Sequence, residues 1–189
     1  MRSLVLSLFI LVGMAGLGHS AEPSASLAAL SEPRTHAIMR HALAPGTSDP
    51  AHFDVSDCTT QRNLNGAGRE QARATGAVLR KASAPIDTLW TSQWCRCRET
   101  AALLDIGDVE EVPALNSFFE DRSTADEQTE SLRARLLALP PEETVMMVTH
   151  QVNITALFGG WVDSGEVIIF TLAEDGTVTL RDRFVMPVR

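Results

Sequence analysis

Short apolar runs alternate with amphipathic stretches along this chain, and three of the runs lead into polar or cationic groups. Ala37-Ile38-Met39 leads into Arg40-His41, Ile86-Asp87-Thr88-Leu89-Trp90 into Thr91-Ser92 and then Arg96, and Val145-Met146-Met147-Val148 into Thr149-His150. Runs of this length bounded by turn residues predict buried strands, the first from Thr35 to Met39. Val109 to Val112 predicts another. Between strands, Asn65 is placed to cap a helix with Ala72, Gly76 and Leu79 on one face, ended by Ala84-Pro85. Ser92 is placed to cap a second helix that carries Arg96 in its first turn and Ala101, Leu103 and Leu104 further on. Thr124-Ala125-Asp126-Glu127 reads as a capping box opening a third, with Leu132, Leu136 and Leu139 on one side and Pro140-Pro141 as its stop. A short helix through Leu157 closes at Gly159-Gly160. Glu166 to Leu172 and Thr177 to Val185 flank Glu174-Asp175-Gly176 as a hairpin. Strands alternating with helices and then a hairpin predict an α/β protein, a three-layer α/β/α sandwich with a mostly parallel central sheet and a C-terminal β-hairpin. The polar segment Ala42 to Gln61 is a loop long enough to be functional. Pro113 to Asp121 is a second loop, with Phe118-Phe119 expected to be exposed.

The first residues form a different pattern. Arg2 precedes the apolar stretch Leu4 to Leu17, and small residues lead to Ala21, which reads as a signal peptide over residues 1–21. The stretch is shorter than the ~20 residues a spanning helix wants, although an uncleaved anchor is the competing reading. Residues 22–33, rich in Ala, Ser and Pro, are expected to be a flexible tether before a single domain over 34–189. A periplasmic or secreted protein with no stable membrane insertion after leader removal is the expectation. The formal net charge of −8 argues against a nucleic-acid partner, so any anion site must be local. In an oxidising compartment the cysteines Cys58, Cys95 and Cys97 are expected to leave one disulfide. Cys95 and Cys97 are too close to bridge easily, which leaves Cys58 with either of them. Cys-x-Cys alone lacks a zinc ligand set, and neither a metal nor a cofactor is expected. The sequence carries no signal for an oligomeric state.

Strand ends are where open α/β sheets collect their chemistry. Two imidazoles and two guanidiniums delivered there suggest a phosphate pocket. Neutral imidazole attacks phosphorus near pH 7 without a separate base, and arginine forks suit the phosphoryl oxygens. His41 is the candidate nucleophile, with Arg40, Arg96 and His150 as clamps. Arg96 in the first turn of a helix is unfavourable unless an anion, or Glu99, answers it.

The run Met39-Arg40-His41-Ala42 resembles the Arg-His signature of the histidine phosphatase superfamily, the phosphoglycerate-mutase-like group. The likeness extends through Gln61 to Ala72, through Thr91-Ser92 with Arg96-Cys97-Arg98-Glu99-Thr100-Ala101, and through Val148-Thr149-His150, in family order. It implies a phosphohistidine on His41, phosphate ligation by Arg40, Arg96 and His150, and pocket-lining roles for Arg62 and Asn63. The implied function is a metal-independent phosphomonoesterase acting on a small phosphorylated substrate, such as a sugar or envelope component.

The chain departs from the family at two places. Ala42 stands where glycine is common. Leu115-Asn116-Ser117 stands where many members have Leu-Asn-Glu, and serine is no general acid. Glu120 or Asp121 is then the candidate to protonate the leaving group, with Asp121 the catalytic choice and Glu120 expected at the substrate. If neither reaches, good leaving groups such as phosphohistidine or acyl phosphates are favoured. The alternative is a pseudo-phosphatase that binds phosphorylated ligands without turnover. His36 and His52 are read as packing and loop residues, and Trp94 and Trp161 as core unless they flank a sugar-like ligand.

Overall fold

A computed structural model describes residues 27–188. Six strands form one sheet: β1 (Thr35–Arg40), β2 (Thr88–Thr91), β3 (Val109–Glu111), β4 (Val145–Thr149), β5 (Glu166–Leu172) and β6 (Val178–Val185), in the order β3-β2-β4-β1-β5-β6. The first four are mutually parallel where they pair, whereas β5 runs antiparallel to β1 and forms the terminal hairpin with β6. The register shift between Ile169 and Phe170 is a bulge in that hairpin.

Period-two alternation divides the sheet between two cores. Ala37, Met39, Met146 and Val148 face α1 (Gly66–Lys81) and α2 (Cys95–Leu104), packing with Leu79, Cys97, Ala101 and Leu104. Ile38, Val145 and Met147 face α3 (Ala125–Leu137) and α4 (Gln151–Phe158), packing with Leu132, Leu136 and Ile154. The expected three layers are therefore present, with helices on both faces of a mostly parallel sheet.

Two glycines set how closely α1 approaches its neighbours. A Cβ at Gly76 would lie 2.0 Å from the Leu104 carbonyl oxygen, so only glycine lets α1 and the end of α2 meet. A Cβ at Gly68 would lie 2.1 Å from the Leu43 carbonyl oxygen, which presses the start of α1 onto the loop after β1. The Asn65 carboxamide caps that start, its Oδ1 accepting from Gly68 N at 2.8 Å.

Several local expectations are corrected. Residues 1–21, read from the sequence as a signal peptide, and residues 22–26 lie outside the described residues. The remainder of the expected tether includes Leu27 and Leu30, each 1% exposed in the core, held by a 3-10 turn over Ala28–Ser31. An Ala/Ser/Pro-rich composition concealed two apolar residues that the sheet needed covered. Helix α2 begins at Cys95 without a side-chain cap, because Ser92 is still at the strand end, bonded elsewhere. The capping box at Thr124 does not form: a 3-10 turn over Arg122–Thr124 precedes α3, leaving Thr124 already helical in backbone and its hydroxyl on Gln128. Of the pair expected to be exposed, Phe118 is buried and only Phe119 is exposed. No helix among the described residues is long and apolar enough to cross a membrane.

Candidate active site

Strands β2, β4 and β1 lie side by side, so their carboxyl ends meet. Arg40 registers with Thr149 and Thr91 with Val148. Main-chain bonds continue past the strands, His41 N donating to Thr149 O at 2.9 Å and Ser92 N to Val148 O at 3.0 Å. The imidazoles of His41 and His150 thereby come within 5.5 Å of each other, edge to face.

His41 is 2% exposed. Its Nδ1 lies 2.8 Å from the Ala42 carbonyl oxygen, and since a carbonyl only accepts, Nδ1 carries the ring proton. Nε2 is left with its lone pair. Burial, and then the nearby charges of Arg96, Arg62 and Arg40, hold the ring well below the ordinary histidine pKa. Neutrality and the fixed tautomer together leave Nε2 with the lone pair that a nucleophile requires.

His150 is equally buried and has the opposite tautomer. Arg96 Nη2 lies 3.3 Å from its Nδ1, and a guanidinium only donates, so Nδ1 accepts. Its Nε2–H then donates to Ser92 Oγ at 2.9 Å, and the Ser92 hydroxyl donates to Asn116 Oδ1 at 3.2 Å. Burial first, then Arg96 and His41, hold this ring well below the ordinary value.

Three guanidiniums converge above the imidazoles. Arg40 donates to Val162 O at 2.8 Å and lies 5.6 Å from the Trp161 ring centre. Arg62 donates to Ala44 O, and burial followed by the Arg96 charge pushes its pKa down to about 10. Arg96, 3% exposed, forms an ion pair with Asp49 at 2.8 Å. The Nε–H of each of the three is buried without an acceptor. Crowded cations with unpaired donors are what a phosphoryl group's oxygens satisfy.

These side chains, except His41 beneath them, line a cavity of about 580 Å³ with Asp49, Trp94 and others. Asp49 was missed by sequence reasoning: it belongs to no motif, and only its place in a long polar loop pointed to it. Its Oδ1 accepts from Arg96 and from Arg62 N, and its Oδ2 from Trp94 Nε1. Burial pushes this carboxyl up, but those bonds and the Arg96 charge outweigh it and hold the pKa below the usual value. Glu99 pairs with Arg69, so Arg96 is answered by Asp49 instead.

Not every expected site residue joins the cluster. Arg40, His41, Arg62, Arg96 and His150 are together, and Glu120 lines the cavity while remaining exposed. Asn63 does not line it; its Nδ2 donates to Cys58 O at 2.7 Å and Gln61 O at 3.0 Å, bracing the loop. Asp121 also lies outside, fully exposed, its carboxylate capping the 3-10 turn through Ser123 N and Oγ. A carboxylate held there is spent on the donors of its own turn and presents nothing to the cavity.

Around the site, Cys58 and Cys95 form a disulfide that ties the loop after β1 to the start of α2. Cys97 is a free, buried thiol that burial pushes up to about 12. Trp94 stacks on Phe53 at 4.9 Å and meets His150 edge-on at 5.4 Å. His36 is packed in β1, pushed down to about 4 by burial and Arg34, and His52 is exposed. Among the described residues no three His, Cys, Asp or Glu side chains cluster as metal ligands.

A model of the histidine phosphatase superfamily (branch 1) matches residues 37–117. Among solved structures, the protein histidine phosphatase SixA complexed with tungstate is 19% identical with a TM-score of 0.62, the alignment covering 80% of this chain and 96% of that one. A phosphoserine phosphatase from Entamoeba histolytica in complex with 3-phosphoglyceric acid is 13% identical, TM-score 0.59, over 80% of this chain and 97% of that one. Phosphoglycerate mutase from Plasmodium falciparum is 17% identical, TM-score 0.53, over 80% and 90%. No curated protein matches the chain. The chain is thus similar to the histidine phosphatase superfamily (branch 1) over residues 37–117, and it shares its fold with these phosphatases and mutases.

Proposed function

We propose that the protein is a metal-independent phosphatase that transfers the phosphoryl group of a small substrate to His41 Nε2 and then to water. The match of residues 37–117 to the histidine phosphatase superfamily supports phosphatase chemistry at the coarse level. The observation that carries the finer reading is His41: buried, neutral, with Nδ1–H spent on Ala42 O and Nε2 free beneath three guanidiniums.

In the first step Nε2 attacks phosphorus as the ester oxygen departs. Arg40, Arg62 and Arg96 supply their unpaired Nε–H groups to the spreading negative charge. A bound dianion also favours protonation of His150, turning its Nδ1 from an acceptor of Arg96 into a further donor. Water then attacks the phosphohistidine, and Nε2 recovers its lone pair. With Asp121 outside the cavity, and with His150 Nε2–H on Ser92 and its Nδ1–H on the phosphoryl group, the proton for the leaving group comes from Glu120 or from solvent. An exported enzyme, made with the leader at 1–21 and acting in the periplasm or outside the cell, fits a disulfide beside the site.

Hydrolysis of a chromogenic phosphate ester in the presence of chelator tests this reading. Wild-type protein turns over, and His41→Ala does not. Tight phosphate binding without turnover in the wild type would contradict it and favour a binding module.

A further inference from the structure

The site's floor fits any phosphoryl group, but its walls narrow what the phosphoryl group is attached to. A cavity of about 580 Å³ is on the scale of pockets that hold a whole organic ligand. Among the described residues, the two large aromatic side chains left exposed are Trp161, 65% exposed, and Phe119, 44% exposed, and both line this cavity. Each ring has a cationic neighbour. Trp161 Nε1 donates to Asp163 Oδ1 at 2.9 Å while Arg40 sits against the ring, and Arg122 lies 6.0 Å from the Phe119 ring centre. Phe53, stacked on Trp94, adds a third aromatic wall. Apolar rings open to water favour a ligand with a flat apolar face.

The second constraint concerns the proton. Two carboxyl groups line the cavity. Both oxygens of Asp49 accept hydrogen bonds, from Arg96, Arg62 N and Trp94, so this group is an ionised acceptor with no proton to give. Glu120 stands in water at the mouth. His150, once protonated, has its Nε2–H on Ser92 and its Nδ1–H on the phosphoryl oxygens, so neither proton is placed for the leaving group. A general acid is worth about 10²- to 10⁴-fold, and a site with no buried carboxylic acid loses most on leaving groups that are poor anions. A phenol ionises near pH 10, about where tyrosine does, while water-like aliphatic alcohols need roughly pH 16.

We propose that the site is selective for aryl phosphomonoesters, whose leaving group both stacks between Trp161 and Phe119 and departs as a stable anion. The inference rests on the phosphohistidine reading above. In the step, the bond from phosphorus to the aryl oxygen breaks as the bond from Nε2 to phosphorus forms. The phenolate leaves with the electron pair and takes its proton from solvent. Water then adds its oxygen to phosphorus, the Nε2 bond breaks, and inorganic phosphate and a proton are released.

The test measures kcat/KM for phenyl phosphate, glycerol phosphate and acetyl phosphate. Acetyl phosphate needs no acid and carries no ring, so it reports the floor alone. Phenyl phosphate is expected to exceed glycerol phosphate by about 100-fold or more. Trp161→Ala should lower the ratio of phenyl to acetyl phosphate about fivefold, the size of one lost stacking contact, and Trp161→Phe should restore it. Glycerol phosphate as good as phenyl phosphate, or a ratio moved by neither Trp161→Ala nor Phe119→Ala, overturns the proposal. Failure of acetyl phosphate to label His41 would instead overturn the phosphohistidine reading on which it stands.

Discussion

The floor of the cavity and its rim are held by different physics. His41, Arg96 and His150 are 2%, 3% and 3% exposed, fixed by strand register and by hydrogen bonds to the main chain and to one another. Phe119, Glu120 and Trp161 sit on connections and face water. On the proposed function this is a division of labour, with sheet geometry preorganising the phosphoryl chemistry and the loops left to choose the substrate.

The largest effect should come from removing His41, the proposed nucleophile. His41→Ala is expected to lower kcat/KM by about four orders of magnitude or more, measured with any ester the enzyme turns over, whereas single rim substitutions should cost about tenfold or less. A rim variant as damaging as His41→Ala would erase the distinction. Next comes the disulfide that joins the rim's loop to the floor's helix. Its sequence separation of 37 predicts a loss of about 4 kcal/mol on reduction, read from urea unfolding with and without reductant. Arg96→Ala should then cost about 100-fold in kcat/KM, and about 2 kcal/mol of stability because the partly buried Asp49 carboxylate loses its cation while keeping Arg62 N and Trp94 Nε1 as donors. Adding Asp49→Asn to that variant should recover part of the stability and none of the activity.

A smaller effect is written in the buried histidines. His36, His41 and His150 all have pKa values lowered by burial, His36 to about 4. Below about pH 6.5 the unfolded chain binds protons that the folded one refuses, so stability falls as the pH drops through that window. Each histidine contributes up to about 1.4 kcal/mol per pH unit, for His36 until it protonates near 4. The kinetic counterpart is an acid limb of kcat/KM that lies below 6.5. Asp121→Asn belongs at the bottom of the scale: it replaces one cap on an exposed turn by another that can serve, and should leave the urea midpoint and turnover unchanged.

The same division explains what could be read from the chain. Apolar runs ending in Arg40-His41, Thr91-Ser92 and Thr149-His150 announced both strands and floor, because buried parallel strands leave a strong local pattern and deliver the residues after them to one edge. The Cys58 pairing stayed open between Cys95 and Cys97 because spacing alone does not say which thiol faces the loop. In the structure Cys97 packs into the core instead. Rim residues were harder. Asp121 looked like an acid by proximity to Phe119, but a 3-10 turn, invisible to a helix-period reading, consumed its carboxylate. Asp49 reaches Arg96 across a sequence separation of 47, and no local signal encodes such a contact. Leu27 and Leu30 were hidden for the same reason, since what buries them lies far along the chain.

The central claim is that one imidazole nitrogen carries the phosphoryl group. Rapid quenching during turnover, with mapping of the labelled peptide, tests it most directly. An acid-labile, alkali-stable phosphoryl group on His41 at Nε2 is the expected result. Turnover with no trapped phosphoenzyme, or with the label on any other residue, would contradict it.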